Sequence, residues 1–184
     1  MGRLIYSAIM SADGYIADAT GDFGWAEPSV DAHLAINEVA RPVGTYVLGR
    51  RTHEVMAVWD ELDTPENEGP MREFAQVWAG ADKVVVSSTL EAVSTRRTTL
   101  RGDLDLDWLR ALTADADRDV AIAGPTLAAP AIRAGLVDEL QLWIVPAIVG
   151  GGLAALPEGA RADYTLAETR EVGGFVFLRL SATR

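Results

Sequence analysis

The chain has 184 residues, with 27 Asp and Glu against 16 Lys and Arg for a formal charge of −11, no Cys and two His. Without cysteine there is no disulfide framework, thiolate nucleophile or Cys-ligated metal, and His33 and His53 form no H-E-x-x-H or H-x3-H pair, so no metal site is expected. One domain, residues 1–184, is expected to bury its own core, and the acidic balance argues against nucleic acid as a partner.

In chain order, Met1–Ile5 runs straight into an alternating apolar segment with no export signal, so a cytoplasmic location is expected. Short apolar, β-branched runs at Leu4–Met10, Thr45–Leu48, Lys83–Ser87, Asp119–Ala123, Glu139–Val145 and Phe175–Leu180 predict strands. Helical spacing falls between them: Val30–Ala40 on Val30, Leu34, Ile36 and Ala40; Pro70–Ala79 on Met71, Phe74, Ala75 and Trp78; then Asp105–Thr113 and Thr126–Ala134. The loop Asp60–Gly69, with five acids and Pro65, reads as the most solvent-exposed stretch. Leu140–Pro157 carries no charge, but Pro146 and Gly150-Gly151-Gly152 break it, so it reads as a buried strand and a glycine loop rather than a membrane span. Tyr164–Glu171 and Phe175–Leu180, joined by Val172-Gly173-Gly174, predict an antiparallel hairpin. The alternation as a whole predicts an α/β domain: a mostly parallel central sheet, helices on both faces, and the hairpin added at the end.

Three strand ends carry candidate chemistry. Gly49-Arg50-Arg51-Thr52 follows a strand and opens a helical segment; glycine permits close backbone approach, Thr52 can cap the helix, and free N–H groups with two guanidiniums suit an anion. A plain strand–helix turn with solvent-facing arginines explains the same residues equally well. Ser87-Ser88-Thr89 places three hydroxyls at the next strand end, where α/β sheets bind ligands, although hydroxyls are also ordinary turn residues. Gly124-Pro125-Thr126 supplies a third turn and another helix start, or simply tight packing. No G-x-G-x-x-G is present. Asp13-Gly14 is foremost a turn signal. Asp22, Trp25, Glu27 and Asp31 gather carboxylates beside an aromatic ring; a partly buried acid there could give a proton, but Asp31 is read first as a helix-dipole partner or cap. His33 reads as a surface or satisfied residue, and His53 as a weak candidate for a phosphate contact.

Together, Ser11–Ala17, Leu48–Thr52, Val84–Thr89, Ile122–Leu127, Gly135–Leu140 and Pro146–Gly152 resemble the dihydrofolate-reductase-like superfamily. In particular they are similar to stand-alone proteins related to the reductase (C-terminal) domain of the bifunctional riboflavin-biosynthesis deaminase–reductase. The resemblance covers nearly the whole chain. It implies a three-layer αβα fold and an NADPH-dependent oxidoreductase acting on a C=N or C=O of a small heterocycle. It also implies Ile16 at the nicotinamide, Gly49, Arg50, Arg51 and Thr52 at the phosphates, Ser87 and Ser88 at the adenosine 2′-phosphate, and Gly124, Pro125, Thr126 and Leu127 at the pyrophosphate. Asp31, six residues beyond Trp25, is the nearest match to the proton-donating acid, with Trp25 shaping the pocket. A homodimer is implied too, with the Leu140–Val149 strand and the terminal hairpin offering an edge to cover. Two alternatives stand beside this reading. One is a nucleotide-binding protein without catalysis, suggested by Ala123 where the family has glycine. The other is dihydrofolate reductase itself, opposed by the lack of a folate-binding arginine in Leu62–Asn67.

Overall fold

The computed structural model describes residues 1–183. The elements are β1 (Leu4–Ser11), β2 (Tyr15–Ala17), α1 (Val30–Ala40), β3 (Val43–Gly49), α2 (Arg50–Met56), α3 (Trp59–Leu62), α4 (Pro70–Gly80), β4 (Asp82–Val86), β5 (Thr98–Arg101), α5 (Leu106–Asp115), β6 (Asp119–Ala123), α6 (Pro125–Arg133), β7 (Glu139–Val145), β8 (Leu153–Ala154), β9 (Tyr164–Val172) and β10 (Phe175–Ala182). Eight strands form one sheet in the order β5-β4-β3-β6-β1-β7-β10-β9. The first six are mutually parallel, and β10 runs antiparallel between β7 and β9. This is the expected αβα layering with a terminal hairpin; Gly173 (φ 58°) and Gly174 (φ 86°) supply the two left-handed residues of its turn. At the hairpin end of the sheet the free edge is β9 and not β7, which is paired on both sides; β5 is the edge at the other end.

Each face of the sheet has its own core. On one, Ala32, Ala35 and Val39 of α1 pack on Trp143, Val145, Phe175 and Phe177, while Phe74 and Trp78 of α4 pack on Tyr46, Leu48 and Ala121. On the other, Leu109 of α5 and Ala128, Ala131 and Ile132 of α6 cover Leu4, Tyr6, Val47, Val120, Ile122, Leu140 and Leu142. The periodicity is half right for α1: Ile36 and Ala40 pack against the cores, but Val30 and Leu34 are exposed, and Ala32, Ala35 and Val39 fill the buried face over Trp143 and Phe177. Ser29 starts α1, its hydroxyl accepting the Ala32 N–H at 3.3 Å and donating to the Gly173 carbonyl at 3.0 Å. Asp105 caps α5 by accepting the Asp107 and Trp108 N–H groups, and Pro70 and Pro125 open α4 and α6.

The acidic loop is less exposed than its composition suggests. Asp60–Leu62 belongs to α3, and Asp60 accepts hydrogen bonds from Trp78 Nε1 at 2.9 Å and the Arg96 N–H at 2.9 Å, so the carboxylate organises its surroundings. Among the described residues no helix is long and apolar enough to cross a membrane.

The register creates a step at the carboxyl end of the sheet. Leu48 lies opposite Ala123 and Tyr6 opposite Ile122, yet β1 stays paired with β7 up to Ser11 opposite Val145. β1 and β7 therefore overshoot β6 and β3 by four residues, roughly 13 Å at the usual rise of a strand.

Candidate functional site

Ser7 lies at the foot of this step. It is exposed although β1 has neighbours on both sides, and it shares a face with Ile9, which packs into the α1 cluster. Helices α1 and α4 therefore leave the sheet uncovered at Ser7, beside the ends of β6 and β3. A hydroxyl in the middle of the apolar run Leu4–Met10 was the sequence signal for this opening, and it passes unnoticed when the run is read only as a strand.

Two helix starts border the opening. Gly49 precedes α2 and Gly124 precedes α6, and neither helix has a side-chain cap, so first-turn N–H groups at both remain open for an anion. Gly124 is held at φ 91°, and a Cβ there would stand 2.6 Å from Thr52 Oγ1. A Cβ on Gly49 would meet only Leu127 Cβ at 3.8 Å, so the space in front of Gly49 is free. Thr52 does not cap α2 as the sequence suggested; it sits in the first turn and faces Gly124. Arg50 and Arg51 are exposed, Arg50 having only Glu54 at 3.9 Å. Pro125 is buried, Thr126 exposed in the first turn of α6, and Leu127 partly buried against the α5–α6 core. Ala123 turns its methyl into the Tyr46–Trp78 cluster.

At the end of β4, the Ser87 hydroxyl accepts the Thr89 and Leu90 N–H groups, both at 3.2 Å, and is used up in its own turn; Ser88 is exposed. Ile16 lies on β2, half-buried, in a small sheet with β8. That sheet is tied to the glycine loop by Asp13. Its carboxylate accepts from Ser11 Oγ at 2.6 Å, Gly150 N–H at 2.8 Å and Val149 N–H at 3.2 Å, and the Ser11 hydroxyl, ahead of the two backbone donors, holds it below the usual carboxylate range. Gly152 fits closely here, since a Cβ would lie 2.2 Å from the Ala17 carbonyl oxygen. The turn reading of Asp13-Gly14 was therefore right, and its carboxylate is a staple between two loops.

Asp31 and Trp25 are not gathered with the turns. Glu38, seven residues and nearly two full turns after Asp31, lies on the same side of α1 and reaches Arg170 of β9 at 3.4 Å. Asp31 is exposed on that β9 side, whereas His33 on the opposite side meets Trp59 and Phe74 with ring centroids 5.8 and 6.2 Å apart. Asp31 thus serves the first turn of α1. Trp25 packs against the Trp143–Phe175 cluster and donates from Nε1 to the Asp22 carbonyl at 3.2 Å. His53 is buried with Nε2 2.8 Å from Thr95 Oγ1, and burial pushes its pKa down, so it presents no charge to a phosphate.

Residues 3–177 match the RibD C-terminal domain family. The chain belongs to this family. The fold is similar along its whole length to a putative riboflavin biosynthesis protein from Shewanella sp. PV-4, with TM-score 0.76, 21% identity and 99% of each chain covered. It is similar to a diaminohydroxyphosphoribosylaminopyrimidine deaminase/5-amino-6-(5-phosphoribosylamino)uracil reductase from Thermotoga maritima, with TM-score 0.69 and 16% identity over 99% of this chain and 57% of that one. Dihydrofolate reductase from Enterococcus faecalis, complexed with NADP(H), matches with TM-score 0.64 and 13% identity over 100% and 98% of the two chains. The RibD C-terminal chain described here is thus a reductase-like protein on the dihydrofolate-reductase fold.

Proposed function

We propose that the chain is an NADPH-dependent reductase that passes hydride to an electron-poor C=N or C=O of a small pteridine- or pyrimidine-like heterocycle, as a 5-amino-6-(5-phosphoribosylamino)uracil reductase does. The observation that carries the reading is the pair of uncapped helix starts, at Gly49 and Gly124, on neighbouring strands beside the exposed Ser7. NADPH, when bound, supplies the hydride.

The residues present fit such a group, because glycine at both strand ends leaves backbone N–H donors open with two exposed guanidiniums beside them. The first-turn N–H groups of α2 and α6 would hold the pyrophosphate, with Arg50 and Arg51 adding positive charge in an otherwise acidic chain. Thr52 and the start of α6, Pro125, Thr126 and Leu127, shape this cradle. The stapled loop carrying Ile16 would cover one face of the nicotinamide. Ser7 would floor the acceptor pocket, positioning the heterocycle rather than reacting with it. Asp31 faces β9, so the proton that accompanies the hydride is drawn from water entering the open crevice, and D31N is expected to keep turnover.

Titration of tryptophan fluorescence with NADPH tests the reading, followed by NADPH oxidation with pterins, pyrimidines and quinones. Saturable binding and slow oxidation with at least one heterocycle support it; no binding up to about 1 mM overturns it, since ordinary Michaelis constants lie below that. In the same reading the protein is cytoplasmic and forms a homodimer in which β9, whose outer edge is unpaired and whose Leu166 is exposed, meets a second copy. A light-scattering mass of one chain would remove the dimer without touching the reductase.

A further inference from the structure

Between α1 and α4 the sheet has an open floor. Helix α1 packs on β7 and β10 through Trp143, Val145, Phe175 and Phe177, and α4 packs on β3 and β6 through Tyr46, Leu48 and Ala121. Strand β1 lies between β6 and β7, so it runs along the bottom of the gap and brings exposed Ser7 to it. His33, Asn37 and Ala40, at i, i+4 and i+7, form the flank of α1 that faces α4. The lower part of this flank is closed, because Ala40 joins the Phe74–Trp78 cluster and Asn37 donates from Nδ2 to the Pro70 carbonyl at 2.8 Å. His33 stands one turn further up. Because α1 ends just before β3 begins, its first turns lie towards the carboxyl end of the sheet, with Gly49 and Gly124. His33 is eight residues, about 12 Å, from the foot of α1 at Arg41. Tyr6, the neighbour of Ser7, is level with Val47 by way of Ile122, four residues and about 13 Å from the foot of β3 at Val43. His33 and Ser7 therefore stand at similar heights, on the wall and the floor of one opening.

The imidazole is positioned but unpaired. Trp59 of α3 and Phe74 of α4 meet the ring with centroids 5.8 and 6.2 Å away, while neither nitrogen has a hydrogen-bond partner among the described residues or is shut off from solvent. His53 differs, its Nε2 being tied to Thr95. The charged group facing His33 is Glu73 of α4, itself paired with Arg41. On α3, Asp60 is turned to Trp78 and Arg96 and Glu61 is exposed, and on α1 itself Asp31 and Glu38 lie on the β9 side. Burial pushes the His33 pKa below the ordinary histidine value, with Glu73 opposing, so the ring takes up and releases its proton on the acid side of neutrality.

We propose that His33 supplies the proton for the reduction, passing it through one water in this opening to a heterocycle seated over Ser7. The proposal rests on the reductase reading and names the group behind the water which that reading invokes. As the carbon of the C=N or C=O accepts the hydride, the π pair moves onto the heteroatom, which takes a proton from the water; the imidazolium replaces that proton, is left neutral and is recharged from solvent. The reductant is NADPH, and the protein undergoes no redox change. The test is the pH dependence of single-turnover NADPH oxidation at saturating cofactor, with the fastest acceptor from the pterin, pyrimidine and quinone panel, for wild type, H33F, H33Q and D31N. Wild type is expected to be fastest below the His33 pKa and to slow about tenfold per pH unit above it. H33F keeps an aromatic ring against Trp59 and Phe74, and H33Q keeps a polar group. Both are expected to lose about a hundredfold or more at the acid plateau, and the pH slope with it, while NADPH affinity read by tryptophan fluorescence is unchanged. D31N is expected to keep the wild-type profile. A flat wild-type profile, a pH slope retained in either His33 variant that binds NADPH, loss of NADPH binding in both, or a slope that vanishes in D31N overturns the role of His33 and leaves the reductase standing. Failure of wild type to bind NADPH, or to oxidise it with any acceptor, overturns both.

Discussion

Thr52 Oγ1 occupies the place that a side chain on Gly124 would need: a Cβ added there would lie 2.6 Å from it. The backbone at Gly124, φ 91°, is also one that L-residues rarely adopt. Both effects act against G124A, which is expected to lose about 2 kcal/mol or more of stability, a fall of roughly 5 °C or more in Tm for a chain of this size. G49A differs in kind. Gly49 has φ −75° and room for a methyl, so thermal stability should change by no more than about 0.5 kcal/mol while NADPH affinity falls. Thermal melts paired with fluorescence titrations separate the two. Equal melting losses would show that Gly49 is structural too.

Asp13 joins the loop after β1 to the loop after β7 through Ser11, Val149 and Gly150. In D13N, one carboxylate oxygen becomes a donor facing backbone N–H groups, so amide exchange at Val149 and Gly150 should accelerate while the core strands stay protected. Acid should imitate the mutation. The folded carboxyl is held below its unfolded value, so the staple is complete above the unfolded pKa and is lost as pH falls through the folded one. Protection at these two amides, taken relative to their intrinsic exchange rates, that ignores both pH and D13N would show that the loops are joined by other means.

These cases mark where sequence reasoning reached and where it stopped. The parallel strands from Leu4, Lys83, Asp119 and Glu139 are covered on both faces, so they appear as apolar runs with no partner needed to interpret them. β5 escaped because an edge strand can carry Thr98, Thr99 and Arg101, and β2 and β8 are too short for any period to register. The strand-end turns at Gly49 and Gly124-Pro125 were visible because glycine and proline act locally, and the one at Ser87-Ser88-Thr89 because short hydroxyl side chains favour turns. The side of α1 that faces the crevice was not. It depends on how the helix is rotated over Trp143 and Phe177, and that rotation put Ala32 and Ala35 inside and turned Asp31 towards β9. Whether a hydroxyl is free is equally non-local, as the difference between Ser87 and Ser88 shows.

Lys83, the chain's one lysine, is fully buried, with Nζ donating to the Trp78 carbonyl at 3.1 Å and lying 4.9 Å from the Trp78 ring centroid. Burial pushes its pKa below the usual lysine value, with Asp60 opposing. The unfolded chain therefore holds the proton more tightly, and this residue's contribution should rise with pH between the folded and unfolded values. K83M fills a similar volume and leaves the Trp78 carbonyl bonded to the Ala81 N–H at 3.2 Å. It is expected to melt at or above the wild-type temperature at neutral pH and to lose the alkaline rise. A marked drop in Tm at neutral pH would show that the ammonium's contacts outweigh its desolvation.

Arg3 closes the opposite end of the sheet, with its terminal nitrogens 2.6 Å from both Asp119 and Glu139 and its N–H donating to Asp119 at 3.0 Å. Both carboxylates are buried, while Arg3 is half-exposed. Glu139 keeps Gln141 at 2.7 Å and Arg179 at 3.6 Å if Arg3 is removed, but Asp119 would keep no cation within ion-pair distance. R3A should therefore cost about 1–2 kcal/mol at neutral pH, less than the loss of a fully buried partner because water already screens Arg3. Burial raises the Asp119 pKa, but the hydrogen bonds and charge of Arg3 outweigh it and hold the group below its ordinary value. The stabilisation is thus complete above the unfolded pKa of about 4 and disappears as pH falls through the folded value. Urea midpoints of wild type and R3A should differ at about pH 7 and draw together as the pH falls below about 4 and through the folded value. A gap that persists in acid would assign the loss to packing of the Arg3 stem instead of its charge.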